Sequence, residues 1–279
     1  MRGTRSIAGR DGKEGVSTGT VAIHPSAVVH PDAVLGEGVS IGPHSIVERD
    51  VRIGPGTEIG GNVFVGQFTE VGSRCKVYHG AIVGSPPQHR EYKGERSYAR
   101  IGDGVVIREY ATINRAAVPE ATTVVGDDCL LMAFIHVAHD CVLGRGVVLS
   151  NLATLAGHIE VGDFAVIGGL CAVHQWLKIG EMVMVGGTSG VTAHVPPYVT
   201  VMGAPPAKII KVNRRGLENQ KMPAEQVAQV EECYRILRRT NSTTKAVEEM
   251  EAQVAPSAAR SRIVQFLKDN SPIAHFQRT

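Results

Sequence analysis

The sequence predicts an all-β left-handed parallel β-helix built from hexapeptide repeats, followed by a small α-helical C-terminal domain. Three observations predict it. Ile, Leu or Val occupies 26 of the 29 positions reached by stepping six residues at a time from Ile23 to Val191. Glycine often follows directly after such a position. The six-residue period stops at Pro196-Pro197, and a helical spacing of apolar residues begins further on.

Composition narrows the class of protein before any motif is considered. The 279 residues carry 29 basic and 27 acidic side chains, a net charge of +2, which does not indicate a nucleic-acid-binding protein. No apolar run approaches the ~18 residues of a transmembrane helix, so no membrane insertion is expected. The first 20 residues lack the apolar stretch of a secretory signal, and we expect residues 1–20 to form a flexible N-terminal extension. The scattered cysteines form no CxxC motif and fit a reducing, cytoplasmic location.

A period of six matches neither the 3.6 of an α-helix nor the 2.0 of a half-buried strand. Hexapeptide periods are typical of parallel β-helices, in which three hexapeptides form one triangular coil. The aliphatic residue points inward and stacks on its equivalent one coil away, and the following glycine is expected to permit the sharp corner. This interpretation assigns residues 21–212 to the β-helix.

Two segments interrupt the period. Residues 84–100 are polar and rich in Pro and Gly, which predicts an external loop. Residues 114–124 predict a second, shorter excursion. The helical domain is assigned to residues 213–279, with one helix opened by Pro223, a second capped by Ser242 or Thr243, and a third spanning 257–268.

Several histidines share one edge of the predicted prism. Division of the residue number by 18, the length of three hexapeptides, leaves 13 for His139, 14 for His158 and 12 for His174. These residues therefore lie near one another on three consecutive coils about 4.8 Å apart. Asp140 and Gln175 share that edge. A histidine beside a carboxylate is typical of an acid–base site, because the carboxylate can orient the ring and stabilise the imidazolium. No Ser or Cys is placed as an activated nucleophile, which favours direct transfer without a covalent intermediate.

Two alternatives use the same pattern. His136 and His139, with His158 or His174, could bind zinc, as the γ-class carbonic anhydrases do between β-helical subunits. Metal analysis of the purified protein distinguishes this possibility from an acid–base site, for which we expect no metal and no cofactor. A β-helical scaffold without enzymatic activity is the other alternative.

Five strings at matching intervals resemble the UDP-N-acetylglucosamine acyltransferase family, which opens lipid A biosynthesis, over residues 21–270. They are HVAHDC (136–141), NLATLAGH (151–158), AVHQ (172–175), VMVGG (183–187) and VPPY (195–198). The resemblance implies a homotrimer with active sites between neighbouring subunits. It also implies a 3-hydroxyacyl donor on acyl carrier protein, with the 3-hydroxyl of UDP-N-acetylglucosamine as acceptor.

The resemblance also implies residue roles. His139 would be the general base, Asp140 would orient it, and the backbone N–H of Gly157 would stabilise the oxyanion. Gly187 would be the ruler that sets acyl-chain length. The implied substrate-binding residues are His136, His158, His174, Gln175, Arg214, Arg215, Gln88 and His89.

Two segments depart from the family pattern. The external loop reads Gln88-His89-Arg90-Glu91 where Gln-Asp-x-Lys is usual, and 114–117 reads Asn-Arg-Ala-Ala where His-Arg-Gly-Thr is usual. An acidic and a basic sugar contact are thereby replaced. The alternative acceptor is a 3-amino UDP-sugar, which would give an amide.

Overall fold

The computed structural model describes residues 19–240 and 242–276. The expected extension at 1–20 therefore lies outside the described residues except for its last two. Most of the strands are two residues long. In chain order they are β1 (Ala22–Ile23), β2 (Val28–Val29), β3 (Val34–Leu35), β4 (Ser40–Ile41), β5 (Ile46–Val47), β6 (Arg52–Ile53), β7 (Glu58–Ile59), β8 (Phe64–Val65), β9 (Thr69–Val71), β10 (Lys76–Val77), β11 (Ile82–Ser85), β12 (Tyr98–Ile101), β13 (Val106–Ile107), β14 (Thr112–Asn114), β15 (Thr122–Val125), β16 (Leu130–Leu131), β17 (His136–Val137), β18 (Val142–Leu143), β19 (Val148–Leu149), β20 (Thr154–Leu155), β21 (Glu160–Val161), β22 (Val166–Ile167), β23 (Ala172–Val173), β24 (Lys178–Ile179), β25 (Met184–Val185), β26 (Gly190–Val191), β27 (Val199–Met202) and β28 (Lys208–Val212).

The strands form three sheets, each taking every third strand of the coils. Sheet A contains β1, β4, β7, β10, β13, β16, β19, β22, β25, β27 and β28; sheet B runs from β2 to β26, and sheet C from β3 to β24. The pairing within the coils is parallel, and it joins equivalent residues of neighbouring coils, such as Ile41 and Ile59. The fold predicted from the sequence, a parallel β-helix followed by a small helical domain, is confirmed.

The two interruptions leave the coil phase intact. Across the external loop, the paired residues Val71 and Ile101 are separated by one coil plus two extra hexapeptides. Across the second excursion, Ile113 and Val137 are separated by one coil plus one extra hexapeptide. The insertions together equal three hexapeptides, which is one full coil, so equivalent residues keep the same remainder after division by 18.

The glycines of the repeat serve a different purpose from the one expected. The left-handed backbone conformation falls three residues after the aliphatic position, and mostly on residues other than Gly, such as Asp50 and Asp140. The glycine directly after the aliphatic position is required by close stacking of coils: a Cβ at Gly42 would lie 2.6 Å from the backbone carbon of Gly60. The expectation that these glycines permit the corner was therefore wrong.

After the coils, β27 and β28 pair antiparallel, an arrangement that the sequence did not predict. Four helices follow: α1 (Arg214–Asn219), α2 (Ala224–Arg239), α3 (Thr243–Gln253) and α4 (Ala258–Asp269). The three predicted helices are present, with Pro223, Ser242 and Ser257 at their N-caps; α1 was not predicted. The Tyr234 hydroxyl donates to the Pro197 carbonyl at 2.5 Å and ties α2 to the end of the coils. Within 19–240 and 242–276, no helix is both long and apolar enough to cross a membrane.

Candidate active site

The site lies on the edge where the chain passes from sheet B to sheet C, named here the B–C edge. On three successive coils this edge carries Asp140, His158 and Trp176, all in the left-handed region with φ of 58°, 60° and 66°. Such backbone is uncommon for bulky side chains. The regular coil geometry imposes this left-handed conformation at each equivalent position. The three side chains therefore stack along the edge.

His139 and Asp140 form a buried pair at the centre of the site. Their Nδ1 and Oδ2 atoms are 2.7 Å apart, and the side chains are only 9% and 8% exposed. The carboxylate also accepts from the backbone N–H groups of Ala117, at 3.0 Å, and Val118, at 3.4 Å. A carboxylate at Nδ1 keeps the proton on that nitrogen, so Nε2 of His139 remains an acceptor.

His158 lies one coil further along the same edge. Its ring meets that of His139 edge-on with centroids 5.1 Å apart, and its Nε2 is 3.7 Å from Oδ2 of Asp140. The other neighbour is the indole of Trp176, which stacks on the His158 ring at 3.6 Å. Burial lowers the pKa of His158, and Asp140 opposes this shift. The lowered pKa favours a neutral ring at neutral pH, which can both donate and accept a hydrogen bond.

His136 projects from β17 beside the pair. Its Nδ1 is 2.7 Å from the Thr112 hydroxyl, which fixes the orientation of the ring. Burial lowers the pKa of His136, and the neighbouring His139 lowers it further. The lowered pKa makes His136 a weaker base and favours its neutral ring at neutral pH.

Gly157 lies against the imidazole ring of His139. A Cβ there would lie 2.5 Å from Cε1 and 2.8 Å from Nε2 of His139, so only glycine fits without displacing the ring. Among the described residues, the N–H of Gly157 has no hydrogen-bond acceptor. A free N–H next to an imidazole ring is suited to receive a developing oxyanion.

The external loop covers this centre. The His89 ring meets the His139 ring edge-on with centroids 5.0 Å apart, although the two histidines lie far apart in sequence. The preceding Gln88 is exposed. The structure thus brings together six of the predicted site residues: His136, His139, Asp140, Gly157 and His158 from the coils, and His89 from the loop.

Other predicted residues lie apart from this centre in the single chain. His174 and Gln175 are exposed one coil above His158. Arg214 and Arg215 are exposed at the start of α1, where Arg214 pairs with Glu231. Gly187 lies on another edge, between sheets A and B, and is also exposed.

The sequence analysis did not identify four residues that contribute to this site. Trp176 lies at the position equivalent to His158 on the next coil, so the coil period could have identified it. The amides of Ala117 and Val118 and the hydroxyl of Thr123, which accepts from the Asp140 N–H at 2.8 Å, depend on the path of the second excursion. No periodic signal describes that path.

The geometry of this centre also tests two alternatives, a zinc site and a cysteine nucleophile. His139, Asp140 and His158 offer one ligand atom each within 4.8 Å of one another, a set that zinc accepts. Neither His136 nor His174 belongs to this group in the described residues, so the zinc ligands inferred from the sequence do not come together as such. Burial raises the pKa of the Cys141 thiol to about 12, which argues against this cysteine as a thiolate nucleophile.

Comparison with known proteins gives consistent matches. A family described as "Udp N-acetylglucosamine O-acyltransferase; Domain 2" matches residues 194–273, and one described as "Bacterial transferase hexapeptide (six repeats)" matches 122–157. The acyl-(acyl-carrier-protein)–UDP-N-acetylglucosamine O-acyltransferase of Thiobacillus denitrificans is 46% identical over 248 residues, covering 88% of this chain and 95% of that protein. The protein of the same name from Janthinobacterium is 42% identical, covering 85% and 92%.

Solved structures agree with the sequence matches. The UDP-N-acetylglucosamine acyltransferase of Bacteroides fragilis superposes with a TM-score of 0.87 at 33% identity, covering 91% of this chain and 99% of that one. The enzyme of that name from Campylobacter jejuni gives a TM-score of 0.86 at 33% identity, covering 92% and 100%. Both the coils and the helical domain are therefore shared.

Proposed function

The chain belongs to the family of UDP-N-acetylglucosamine O-acyltransferases, and from this premise we propose that it transfers a 3-hydroxyacyl chain from acyl carrier protein to the 3-position of UDP-N-acetylglucosamine. Membership of this family makes the protein an acyltransferase. The reaction would serve lipid A biosynthesis and would take place in the cytoplasm, where carrier proteins and nucleotide sugars are made. The observation that carries the mechanism is the buried His139–Asp140 pair, with the free N–H of Gly157 beside it.

Nε2 of His139 removes the proton from the acceptor hydroxyl as its oxygen attacks the thioester carbonyl. The carbonyl oxygen becomes an oxyanion that accepts a hydrogen bond from the Gly157 N–H, and Asp140 stabilises the imidazolium. When the tetrahedral intermediate collapses, the C–S bond breaks and the imidazolium protonates the leaving sulfur. Ester and free carrier thiol are the products, and no acyl-enzyme forms.

The acceptor atom depends on the external loop. His89 lies where an acidic contact is usual and Glu91 where a basic one is usual, so the charges presented to the sugar are changed. A 3-amino UDP-sugar is the alternative acceptor, and its product would be an amide. His158 and His136, both favoured as neutral rings, can donate to or accept from sugar and phosphate oxygens. Exposed arginines at the start of α1, Arg214 and Arg215, offer guanidinium groups to the diphosphate.

One assay tests the proposal. Purified protein is incubated with 3-hydroxyacyl carrier proteins of several chain lengths and either UDP-N-acetylglucosamine or its 3-amino analogue. An ester is cleaved by mild base and an amide is not, so base treatment identifies the acceptor atom. We expect turnover of at least one acceptor without added metal. Turnover of neither would reject the acyl transfer, and turnover that requires zinc would reject the metal-free mechanism.

The resemblance and the geometry both favour a homotrimer. His174, Gln175 and Trp176 are exposed beside the buried centre and leave the substrate without a second wall. A neighbouring copy of the chain would provide that wall. Light scattering should give three times the 29.7 kDa mass of the chain. A monomer at assay concentration would contradict a shared site.

A further inference from the structure

The segment 115–118 connects the external loop to the catalytic pair. It starts with Arg115, a residue that is only 9% exposed. Among the described residues, Arg115 makes no ion pair with a carboxylate. A buried charge is costly unless it is hydrogen-bonded, so the groups that accept from this guanidinium determine where it lies.

Those acceptors belong to the external loop. Nη1 of Arg115 donates to the carbonyl of Gly84 at 3.2 Å. Nε and Nη2 both donate to the hydroxyl of Tyr92, at 3.3 and 3.0 Å. Gly84 begins the predicted loop and Tyr92 follows shortly after His89. One planar side chain therefore holds the start of the loop and the region beside His89.

Neighbouring contacts fasten the same loop to the same segment. The Asn114 amide donates to Ser85 Oγ at 2.8 Å, and the Ser97 hydroxyl donates to the Ala116 carbonyl at 2.5 Å. Both ends of the loop are thus tied to residues directly adjoining Arg115.

On its other side, the segment holds the catalytic carboxylate. The N–H groups of Ala117 and Val118, two and three positions after Arg115, donate to Asp140. The loop that Arg115 anchors carries His89 to the ring of His139. The segment 115–118 therefore contacts Asp140, which orients His139, on one side. On the other side it contacts the external loop, which covers His139.

We propose that Arg115 is a positioning residue that couples the external loop to the His139–Asp140 pair. The inference rests on the proposed function, because it assumes that His89 faces the acceptor and His139 is the base. Among the described residues, the Arg115 side chain makes hydrogen bonds to Gly84 and Tyr92 and none to His139 or Asp140. It sets where His89 lies over His139 and, through the adjoining backbone, where Asp140 is held.

The first test is independent of turnover. Arg115→Met keeps an unbranched side chain that can stay buried, while it removes the guanidinium and all of its donors. Hydrogen exchange should then accelerate in residues 86–97 and also at the amides of Ala117 and Val118. The matched control is Arg96→Met, because exposed Arg96 lies in the same loop and stacks on Phe68 and Tyr98. Acceleration in the loop alone would overturn the coupling.

The second test is a kinetic double-mutant cycle. Arg115→Met should raise the KM for the acceptor and lower kcat/KM by up to roughly 10²-fold, the loss that a misplacement of about 1 Å can cause. His89→Ala should lower kcat/KM as well, and the double variant should lose much less than the product of the two single losses. If Arg115 had a purely structural role, the folded fraction of Arg115→Met would have an unchanged KM for the acceptor. The losses of kcat/KM in the two single variants would then multiply in the double variant.

Two further variants keep the test decisive if Arg115→Met folds poorly. Tyr92→Phe removes only the hydroxyl that accepts two of the guanidinium bonds, and it should reproduce the rise in KM. Arg115→Lys restores a donor without the planar fork, and it should recover part of the lost kcat/KM. An unchanged KM in Tyr92→Phe would overturn the inference. Failure of the wild type to turn over either acceptor would instead refute the proposed function, and the exchange experiment would still decide the coupling.

Discussion

The B–C edge carries an aspartate in the same backbone conformation in two regions of the molecule. Asp50, in the early coils, has φ of 57°, and Asp140, in the later coils, has φ of 58°. The Asp50 side chain is 52% exposed and lies 4.0 Å from Arg49, whereas that of Asp140 is 8% exposed and bonded to His139. The coil backbone is therefore not what makes the site, since it is the same in both places.

The early coils also carry a histidine–aspartate pair on this edge. His30 and Asp32 approach to 3.6 Å, with side chains 44% and 68% exposed. Water screens such a pair and weakens its interaction. The later pair differs because the external loop and the segment 115–118 cover it. Two insertions into a regular prism thus bury a histidine–aspartate pair of a kind that is exposed elsewhere on the same edge.

Of the matched substitutions in the two regions, those at the histidines should differ most in their effect on turnover. We expect His139→Ala to lower turnover by roughly 10²–10⁴-fold, the usual contribution of a general base. His30→Ala, on the same edge of the early coils, should leave turnover unchanged. Steady-state kinetics on both variants, with light scattering to verify assembly, gives the comparison. Near-wild-type activity of His139→Ala would remove His139 from the mechanism.

The two aspartates provide the next comparison. Asp140→Asn should lower kcat by about 10²–10³-fold, because an amide can present an N–H to Nδ1 and no longer fixes the productive tautomer. Asp50→Asn should have no effect on kcat, and Asn tolerates the left-handed backbone at both positions. Equal kcat values for the two variants would show that cover and burial do not distinguish these residues.

The repeat, the core and the histidine edge could be predicted because one period controls them. His139, Asp140 and His158 were placed on one edge by their remainders alone, and their proximity is confirmed. The amides of Ala117 and Val118 could not be predicted, because they lie in an insertion whose path follows its own hydrogen bonds. The glycine after the aliphatic position was identified correctly but explained wrongly, since a sequence shows neither φ nor the distance to the next coil.

A substitution at Gly157 tests how closely the later coils pack against the His139 ring. Its backbone lies outside the left-handed region, so Gly157→Ala strains no dihedral, but the added Cβ would lie 2.5 Å from the His139 ring. We expect a loss of about 10–10²-fold in kcat with little change in melting temperature, because the ring must move away from the acceptor. Gly169→Ala is the control, since its Cβ would meet only the Asn151 carbonyl at 3.2 Å. Wild-type kcat in Gly157→Ala would show that the ring position is not critical.

The smallest expected effect concerns selectivity between donors, at two glycines in equivalent positions on the edge between sheets A and B. A Cβ at Gly187, in the later coils, would approach the Gly169 carbonyl at 3.3 Å, and one at Gly61, in the early coils, would approach Pro43 at 3.3 Å. At each site a Cβ requires its neighbour to shift by only a few tenths of an ångström, so both Gly187→Met and Gly61→Met should fold.

If Gly187 limits the acyl groove, Gly187→Met should shift preference towards shorter 3-hydroxyacyl donors. Each excluded CH₂ is worth about 0.8 kcal/mol, or roughly fourfold in the ratio of kcat/KM values. Gly61→Met should leave that ratio unchanged, because Gly61 lies several coils away from Gly187 on the same edge. Competition between a long and a short donor in one reaction measures the ratio directly and cancels differences in active fraction. An unchanged ratio in a folded Gly187→Met would give Gly187 a purely structural role like that of Gly61 and place the ruler elsewhere.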